Sequence, residues 1–292
     1  PQVKETIYIF ANGKRLAHED NDGKFFYHND HLGSPIVVTD SNGADVRFFL
    51  HGEQTGLAMI RRTGFDAEAD AGPGQMVKAL HGWGCTVVVT DSYSIESGYW
   101  NIVRELGAFL IAIDDLADRS LPVDMIVNGL AHAAKLSYQA SPHTRFLLGP
   151  AYILLRQEFD HHPSRVIRER PERVLVTVGG SDPSDLAGRI TEWLCKELAD
   201  ATVDVAIGPF FDTAQSVERC ATQWPGRVRI HHDPQDIRAL MLGADLAISG
   251  GGQTTYELAA CGTPAIALCL ADNQRESLEA MAKEGTLLVA GE

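Results

Sequence analysis

Apolar and polar positions alternate in blocks along the second half of the chain. Apolar runs occur at residues 174–178, 203–207, 228–230, 245–248 and 264–268. A segment of helical character, residues 186–198, lies between the first two runs, with Asp182 as its expected N-cap and Pro183 as its expected first residue. Because uninterrupted apolar strands alternate with helices, the pattern predicts a parallel sheet covered on both faces over about residues 170–292.

Residues 56–160 show a shorter series of the same kind. Apolar runs lie at residues 86–90, 109–113 and 125–127, and residues 57–63 and 76–81 are helix-like. The charged residues 160–173 that follow are typical of a linker. The two series together predict an α/β protein with two Rossmann-like domains, a GT-B-like architecture, and a substrate site in the cleft between the domains.

The first 50 residues show a different pattern of apolar runs and turn residues. Short β-rich runs at residues 7–10, 24–27 and 36–39 are separated by turn dipeptides such as Asn12-Gly13 and Asn42-Gly43. This spacing predicts antiparallel hairpins rather than a βαβ unit. We therefore expect residues 1–50 to form a hairpin segment that precedes an incomplete N-terminal domain.

Composition narrows the class of protein without changing this picture. The chain has 292 residues, of which 45% are hydrophobic and 22% charged. Its net charge of −14 disfavours a nucleic-acid partner, which needs a basic surplus. No apolar run is long enough to span a bilayer. The chain lacks an initiator Met and stops just after an apparent strand, so we expect it to be cut at both ends.

Cysteine and histidine positions predict no metal and no cofactor. The five cysteines show no paired spacing, so a reducing, cytoplasmic compartment is expected. The histidine pairs, His161-His162 and His231-His232, have no third ligand at a suitable spacing. We expect them to be solvated surface residues rather than metal ligands.

The most specific pattern is a glycine-rich turn between an apolar run, residues 244–248, and a helix-like run, residues 254–260. It comprises Ser249, Gly250, Gly251, Gly252, Gln253, Thr254 and, one helical turn later, Glu257. Such a turn offers free backbone N–H groups to a phosphate, and glycines let the main chain approach the anion. The Glu257 carboxylate would reach ribose hydroxyls. The pattern predicts a nucleotide diphosphate site, with a simple packing turn as the alternative.

Further polar motifs follow the other predicted strands. In chain order they are Asp91-Ser92-Tyr93, Asp114-Asp115 with Arg119, Asn128, Tyr152 with Arg156, Gly180-Ser181, and Asn273-Gln274. Loops at the carboxyl ends of parallel strands carry the chemistry of such sheets, which favours functional roles for these residues.

Some of these residues have a structural alternative. Asp114 and Asp115 would equally well cap a helix or orient the turn after a strand. Tyr152 and Phe159 are spaced like one face of a helix and would then belong to the core. Arg156 would form an ion pair at a domain interface.

The ordered set of motifs resembles the UDP-sugar hydrolase family of pseudaminic acid biosynthesis, a GT-B relative of the lipid-II-forming glycosyltransferase. The resemblance covers about residues 56–292. It implies that water attacks the anomeric carbon of a UDP-linked diacetamido-trideoxy-L-altropyranose with inversion, releasing UDP. A UDP-sugar would be the partner, no cofactor is implied, and the oligomeric state stays open.

The resemblance also implies roles for individual residues. Tyr93 and Asn273 would be catalytic residues that contact the sugar or the leaving group. The residues that would bind UDP or the sugar are Gly180, Ser181, Gly250, Gly251, Gly252, Gln253, Thr254, Glu257, Gln274, Tyr152 and Arg156.

The sequence departs from this family at its start. Relatives carry a Gly-x-Gly-His-x-x-Arg motif whose His is the expected general base, and the present sequence has no such motif. His51 is a poor substitute, because its surrounding order differs and no parallel strand is predicted before it. The stretch Tyr27-His-Asn-Asp-His-Leu-Gly-Ser-Pro-Ile-Val-Val-Thr-Asp40 instead resembles an Rhs/YD-repeat segment, a likeness that covers about residues 5–49.

The chain therefore looks like an Rhs-type segment joined to a hydrolase that lacks its first strand and catalytic turn. Residues 1–50 are then expected to pack poorly on the parallel sheet. Three functions remain open: a UDP-sugar hydrolase, which the missing motif would inactivate; a GT-B nucleotide-sugar glycosyltransferase; and a non-catalytic Rhs-derived module with a nucleotide-binding remnant.

Overall fold

Runs of Val, Ile and Leu form the strands in both halves of the chain, as their high β-propensity dictates. The computed structural model describes residues 7–11, 14–20, 23–26, 33–39, 46–52, 61, 66–69, 72–81, 83–93, 95–160, 164–208, 211, 214–234 and 236–290. The chain divides into two units, Pro1–Gln157 and Glu158–Glu292. The expected helical stretch at 57–63 lies outside the described residues except for Arg61. Among the described helices, none is long and apolar enough to cross a membrane.

Unit 1 contains twelve described strands and two described helices. The strands are β1 Ile7–Ala11, β2 Lys14–Asp20, β3 Gly23–Phe26, β4 Gly33–Thr39, β5 Val46–Gly52, β6 Asp66–Ala69, β7 Val87–Asp91, β8 Phe109–Ile113, β9 Ser120–Leu121, β10 Met125–Asn128, β11 Gln139–Ala140 and β12 Arg145–Leu148. The helices are α1 Pro73–Leu80 and α2 Ser97–Val103.

The main sheet of unit 1 has the strand order β12-β10-β8-β7-β4-β5-β6. Strands β7, β8 and β10 pair in parallel, as the apolar runs predict, and β12, which was not predicted from the sequence, pairs in parallel with β10. Strand β4 is antiparallel to both β7 and β5, so β5 runs in the same direction as β7. The expectation that no parallel strand precedes His51 is therefore wrong, because His51 is the penultimate residue of a strand of that direction.

The hairpins expected before residue 50 are present. Strands β1, β2 and β3 form an antiparallel sheet, and β4 and β5 form an antiparallel pair. The expectation of poor packing on the parallel sheet is wrong for β4 and β5. Strand β4 hydrogen-bonds with β7, where Ile36 lies opposite Thr90, and Phe49 of β5 is 3% exposed in a core that includes Val88 and Trp100. A neighbouring hairpin strand can pair with the N–H and C=O groups of the β7 main chain whether it runs parallel or antiparallel to β7.

Unit 2 is a six-stranded parallel sheet with helical connections. Its strands are β13 Arg173–Thr177, β14 Thr202–Ile207, β15 Val228–His232, β16 Leu246–Gly250, β17 Ala265–Leu268 and β18 Leu288–Ala290. Its helices are α3 Leu186–Glu197, α4 Gln215–Gln223, α5 Ile237–Gly243, α6 Thr254–Ala260 and α7 Arg275–Lys283. The sheet order is β15-β14-β13-β16-β17-β18, the order 3-2-1-4-5-6 of a doubly wound fold.

The start of α3 differs in detail from the expected cap. The helix begins at Leu186, and the residue before it, Asp185, has a left-handed φ of 52° and makes no side-chain cap within the described chain. The Asp182 carboxylate instead accepts hydrogen bonds from the N–H groups of Leu186 and Ala187, at 2.9 and 2.8 Å. Asp182 and Pro183 therefore lie before the helix, but the carboxylate still satisfies its first donors.

The segment before β13 is fixed to the rest of unit 2 by Arg165 and by Arg168, whose Nε pairs with Asp245 Oδ1 at 3.1 Å. Arg165 donates hydrogen bonds to the carbonyl oxygens of Met241 and Ala244 and to the hydroxyl of Thr263. The guanidinium thus satisfies carbonyl groups at the end of α5, where intrahelical donors run out. Among the described residues 164–172 there is no helix or strand, as expected of a linker.

A buried ionic cluster crosses the first three strands of unit 2. Asp204 of β14 is 1% exposed, and its carboxylate accepts from Arg173 Nε at 2.5 Å and contacts His231 Nε2 at 2.7 Å. Burial by itself raises the pKa of Asp204, but the hydrogen bonds from Arg173 and His231 outweigh it and lower the pKa below its usual value. The expectation of a merely solvated His231 is therefore wrong. His161 and His162 lie outside the described residues.

Replacing Phe49 by alanine tests whether β5 belongs to the core. We expect Phe49→Ala to lower the free energy of unfolding by about 3–5 kcal/mol, because a buried aromatic side chain leaves a cavity. Phe146→Ala is the matched control, since Phe146 is 45% exposed and should cost about 1 kcal/mol or less. Urea unfolding measures both values. Equal small losses would show that β5 does not pack in this core.

Replacing Asp204 by asparagine tests the ionic cluster. We expect Asp204→Asn to cost about 2 kcal/mol at neutral pH, less than a fully buried pair, because both partner side chains are about one-third exposed. Since the folded pKa of Asp204 is lowered, its contribution is present above the unfolded pKa and is lost as pH falls through the folded pKa. The difference in unfolding free energy between the wild type and the variant should therefore shrink as the pH falls below about 4. Glu192→Gln is the control, because Glu192 belongs to a separate, exposed ion pair, and it should leave the unfolding curves nearly unchanged.

Candidate functional site

The carboxyl ends of β13 and β16 form the switch point of the unit 2 sheet. From β13 the chain continues outward through β14 and β15, and after β16 it continues outward in the opposite direction through β17 and β18. Ligands of doubly wound sheets bind in the crevice outside the strand ends at this position. Gly180 and Ser181 follow β13 and are exposed, whereas the glycine turn follows β16. Two of the sequence-predicted motifs therefore lie at one edge of the sheet.

The three glycines of the turn have different surroundings. A Cβ atom on Gly250 would lie 2.6 Å from the carbonyl oxygen of Val178, and one on Gly251 would lie 2.6 Å from Leu278 Cδ1. A Cβ atom on Gly252 would meet no described atom within 4 Å. Gly250 and Gly251 are thus required for packing, while Gly252 faces open space. The packing alternative holds for the first two residues and leaves the third available for a ligand.

The first turn of α6 has no side-chain cap within the described chain. The Gly252 carbonyl accepts the Thr255 N–H at 3.1 Å and the Thr255 hydroxyl at 2.8 Å, which fixes the direction of the turn. The turn after β13 is different, because the Asp182 carboxylate already occupies the first N–H groups of α3. Of these two turns, the one at 250–254 is the better place for an added anion.

The segment after β17 supports the glycine turn. Gln274 accepts a hydrogen bond from the Leu270 N–H at 2.9 Å through Oε1, and the same oxygen lies 2.9 Å from the position of a Cβ on Gly251. The Tyr256 hydroxyl is 2.5 Å from Ser277 Oγ, which ties α6 to α7. Gln274 therefore positions the turn, whereas Asn273 is exposed.

Three further predicted residues lie on α6 or at its start. Glu257 is half-buried in the first turn of α6, and Gln253 is the residue before the helix. Thr254 is the first residue of the helix. Their backbone positions agree with the strand–turn–helix pattern, and their roles toward a ligand stay predictions.

In unit 1, Tyr93 and Asp115 meet at the carboxyl edge of the sheet. Asp91 and Ile113 are opposite each other at the ends of β7 and β8, so residues two positions further along lie side by side. The Tyr93 hydroxyl donates a hydrogen bond to Asp115 Oδ2 at 3.0 Å. Tyr93 remains 61% exposed, so the pair combines an accessible hydroxyl with a carboxylate behind it.

The two neighbouring aspartates have separate roles. Asp114 is 3% exposed, and its Oδ1 accepts the N–H groups of Leu116 and Ala117 at 3.2 and 2.8 Å. Its Oδ2 pairs with Arg119 Nη2 at 2.8 Å. Asp114 thus orients the turn, as its structural alternative stated, whereas Asp115 contacts the exposed Tyr93.

Burial and charge alter the acidity of this pair. Burial raises the pKa of Asp115 and the negative charge of Asp114 raises it further, against the opposing effects of the Tyr93 hydroxyl, its own backbone N–H and His132. Burial, together with the charge and hydrogen bond of Asp115, also raises the pKa of Tyr93. Tyr93 therefore stays protonated at neutral pH, and Asp115 is a stronger base than an exposed aspartate.

The Asn128 and Tyr152 motifs lie at this same edge. Asn128 Nδ2 donates to the Tyr138 hydroxyl at 2.9 Å, and that hydroxyl donates to the Asp114 carbonyl at 2.7 Å. Gly129 follows Asn128, and a Cβ on it would lie 2.3 Å from Ile153 Cα. The turn that contains Tyr152 is therefore pressed against the end of β10.

The predicted helical face of Tyr152 and Phe159 is wrong. Residues Pro150–Tyr152 and Gln157–Phe159 form two short 3-10 turns separated by an extended stretch. Tyr152 is 43% exposed, whereas Phe159 is buried. The chain is extended at Ile153, where it packs closely against Gly129, and this ends the first turn before a continuous helix can form. Arg156, half-buried, follows the first turn, and its role stays a prediction.

Sequence reasoning missed three residues that shape these edges. They are Gly129, Gly208 and Tyr138. A Cβ on Gly208 would lie 2.4 Å from the Gly180 carbonyl oxygen, so the turns after β13 and β14 touch. The available signal was a glycine directly after an apolar strand, which marks close backbone approach. No comparable signal indicated Tyr138.

Comparison with known proteins gives distant relatives. No protein-family model matches the chain. The uncharacterized protein MJ1062 of Methanocaldococcus jannaschii is 25% identical over 80% of this chain and 51% of its own length. The spore coat polysaccharide biosynthesis protein SpsG of Bacillus subtilis is 24% identical over 65% and 57%, respectively.

The name of a third relative includes a reaction. The Helicobacter pylori protein "Pseudaminic acid cytidylyltransferase and UDP-2,4-diacetamido-2,4,6-trideoxy-beta-L-altropyranose hydrolase" is 27% identical over 64% of this chain and 34% of its own length. The chain thus spans between about a third and just over half of these relatives. The Rhs/YD-repeat resemblance of residues 5–49 finds no support among them.

Solved structures show the fold. The glycotransferase of kitacinnamycin has a TM-score of 0.55 and 14% identity, with 82% of this chain and 77% of that chain covered. Acinetobacter baumannii MurG has a TM-score of 0.53 and 13% identity, with 80% and 74% covered. The chain has a GT-B fold, and it is distantly homologous to a protein of pseudaminic acid biosynthesis.

Alanine at two neighbouring glycines tests the division of roles in the turn. We expect Gly250→Ala to cost about 1–3 kcal/mol of unfolding free energy, because its Cβ would overlap a main-chain oxygen that moves only with β13. Gly252→Ala has room and should cost about 0.5 kcal/mol or less. Urea unfolding of the two variants measures the difference. Equal costs would mean that the turn is not packed as described.

Proposed function

We propose that the chain binds a UDP-sugar at the turn after β16 and hydrolyses it, releasing UDP and the free sugar. The observation that carries the proposal is the glycine turn at the switch point of a 3-2-1-4-5-6 sheet, with Gly252 open and α6 uncapped within the described chain. The likeness to the H. pylori protein supports UDP-2,4-diacetamido-2,4,6-trideoxy-β-L-altropyranose as the substrate and pseudaminic acid biosynthesis as the pathway.

The binding chemistry rests on the main chain. Backbone N–H groups of residues 250–254 donate to diphosphate oxygens, and a glycine at 252 lets the phosphate come close. This explains how a chain with a net charge of −14 binds an anionic ligand, because the donors are local. The Glu257 carboxylate accepts hydrogen bonds from ribose hydroxyls, and Gly180 and Ser181 line the neighbouring strand end.

The reaction follows from the chemistry of the leaving group. Water forms a new bond to the anomeric carbon, the bond from that carbon to the diphosphate oxygen breaks, and UDP leaves with the electron pair. Backbone donors stabilise the charge that develops on the diphosphate. Tyr93 and Asn273 contact the sugar or the leaving group, Gln274 positions the turn, and Tyr152 and Arg156 bind the sugar.

A glycosyltransferase reaction is the alternative within the same fold. An acceptor hydroxyl would then replace water at the anomeric carbon. A non-catalytic nucleotide-binding module is the second alternative. The dependence of UDP release on an acceptor, together with UDP binding, separates the three functions.

Turnover and binding test the proposal together. The wild-type chain should release UDP from UDP-2,4-diacetamido-2,4,6-trideoxy-β-L-altropyranose without an acceptor. Glu257→Ala should weaken UDP binding about tenfold, as measured by calorimetry, because the lost hydrogen bonds contribute roughly 1.4 kcal/mol. Glu279→Ala is the matched control, because Glu279 is exposed on α7 of the same unit and should not alter binding.

Each contrary result has a distinct meaning. UDP release that requires an added acceptor would establish the glycosyltransferase. UDP binding without turnover of the UDP-sugar would establish the binding module. Unchanged UDP affinity in Glu257→Ala would remove Glu257 from the site.

A further inference from the structure

We propose that Asp115 is the general base of the hydrolysis and that it takes the proton of the attacking water through the Tyr93 hydroxyl. The inference rests on the proposed function and adds the group that the sequence lacks, since no His motif of the expected kind is present. It starts from a contact that the packing of unit 1 does not require. Tyr93 is 61% exposed, yet its hydroxyl is held by Asp115 at 3.0 Å.

The surroundings of Asp115 distinguish it from a structural carboxylate. Asp114 uses both oxygens in hydrogen bonds that fix the turn. Asp115 Oδ2 contacts Tyr93, and its buried Oδ1 has no hydrogen-bond donor from another described residue. Asp115 is half-buried as a residue, but a buried carboxylate oxygen with spare acceptor capacity is costly for the fold. A role in accepting a proton gives a reason for that cost.

The rigid neighbourhood keeps the pair in place. Arg119 donates to the Ser92 carbonyl at 2.5 Å and to the Tyr93 carbonyl at 3.3 Å, while pairing with Asp114 at 2.8 Å. One guanidinium therefore ties the residues after β7 to those after β8. This fixes the Tyr93 main chain next to the Asp115 carboxylate, as a proton relay requires.

The relay balances. As water bonds to the anomeric carbon, its proton passes to the Tyr93 oxygen, and the Tyr93 proton passes to Asp115 Oδ2. The bond from carbon to the diphosphate oxygen breaks at the same time, and UDP leaves with the electron pair. Tyr93 ends neutral, Asp115 ends protonated, and the proton then returns to solvent. The tyrosine never has to carry a full negative charge, which its raised pKa disfavours.

The groups that face the pair decide its pH dependence. They are Asp91, Asp114, Arg119, His132 and Tyr138. Asp114 raises the pKa of Asp115 and His132 lowers it, with burial as the largest cause of the net rise. Because the base must be deprotonated, kcat should fall as pH decreases through this raised pKa.

His51 is the rival for this role. It is the penultimate residue of β5, which runs in the direction of β7, so its main chain lies near the same edge of the sheet. Strand β4 lies between β5 and β7, which puts two strand spacings, about 10 Å, between them. Asp115 is already in contact with Tyr93. The structure therefore favours Asp115, and a His51 variant tests the choice.

The experiment compares Asp115→Asn, Tyr93→Phe, His51→Gln and Glu105→Gln in the full chain. Asparagine keeps the shape and an acceptor for Tyr93 but removes the basicity. We expect Asp115→Asn to lower kcat about 10²–10⁴-fold with KM and UDP affinity within about twofold, and to abolish the acid limb of the kcat profile. The double variant with Tyr93→Phe should be no slower than Asp115→Asn, because the two residues act as one relay. Glu105→Gln is the charge control, because Glu105 is exposed in the same unit.

Azide separates a missing base from a damaged site. Azide has no proton to lose, so it should restore UDP release by both Asp115→Ala and Tyr93→Phe and give the glycosyl azide, while leaving the wild type little changed. A kcat within twofold of wild type in Asp115→Asn, or a loss in His51→Gln alone, would overturn the inference while the hydrolase stands. No UDP release by the wild-type chain would overturn the proposed function and the inference with it.

Discussion

Close contact between main chains at the carboxyl edges of the two sheets is the constraint on which the candidate sites depend. A Cβ on Gly129 would lie 2.3 Å from Ile153, one on Gly208 2.4 Å from Gly180, and one on Gly250 2.6 Å from Val178. At each place one turn is seated against the end of a neighbouring strand, at a distance that only glycine permits. The turns therefore have fixed positions before any ligand binds, which is the preorganisation that binding and electrostatic stabilisation need.

The carboxylates near the sheets divide in the same way into those that support the fold and one that we propose takes part in the reaction. Asp114 and Asp204 are buried, and each has its acceptors filled by an arginine and further donors. These carboxylates hold segments together and are expensive to leave unpaired. Asp115 is the contrast, because it faces an exposed hydroxyl and keeps an oxygen without a donor from another described residue. Adjacent residues of identical type thus separate into a structural and a chemical role.

Sequence patterns predicted the elements that depend on local composition. The strand at 109–113 and the helix at 254–260 have the expected bounds, because apolar runs and glycine boundaries are local signals. The division between Asp114 and Asp115 was not predictable, since it depends on Arg119 and on the partner after β7. The roles of Gly250 and Gly252 likewise differ only through neighbours that are distant in sequence.

The pairing of β4 with β7 shows that an antiparallel strand can complete the sheet of unit 1 beside its parallel strands. Strand pairing uses main-chain groups, so an antiparallel apolar strand fills the place beside β7, and Phe49 of the next strand joins the core. Reversing a strand, however, exchanges which of its ends meets the functional edge. The candidate residues of unit 1 accordingly follow strands that share one direction, because Tyr93 comes after β7 and Asp115 after β8.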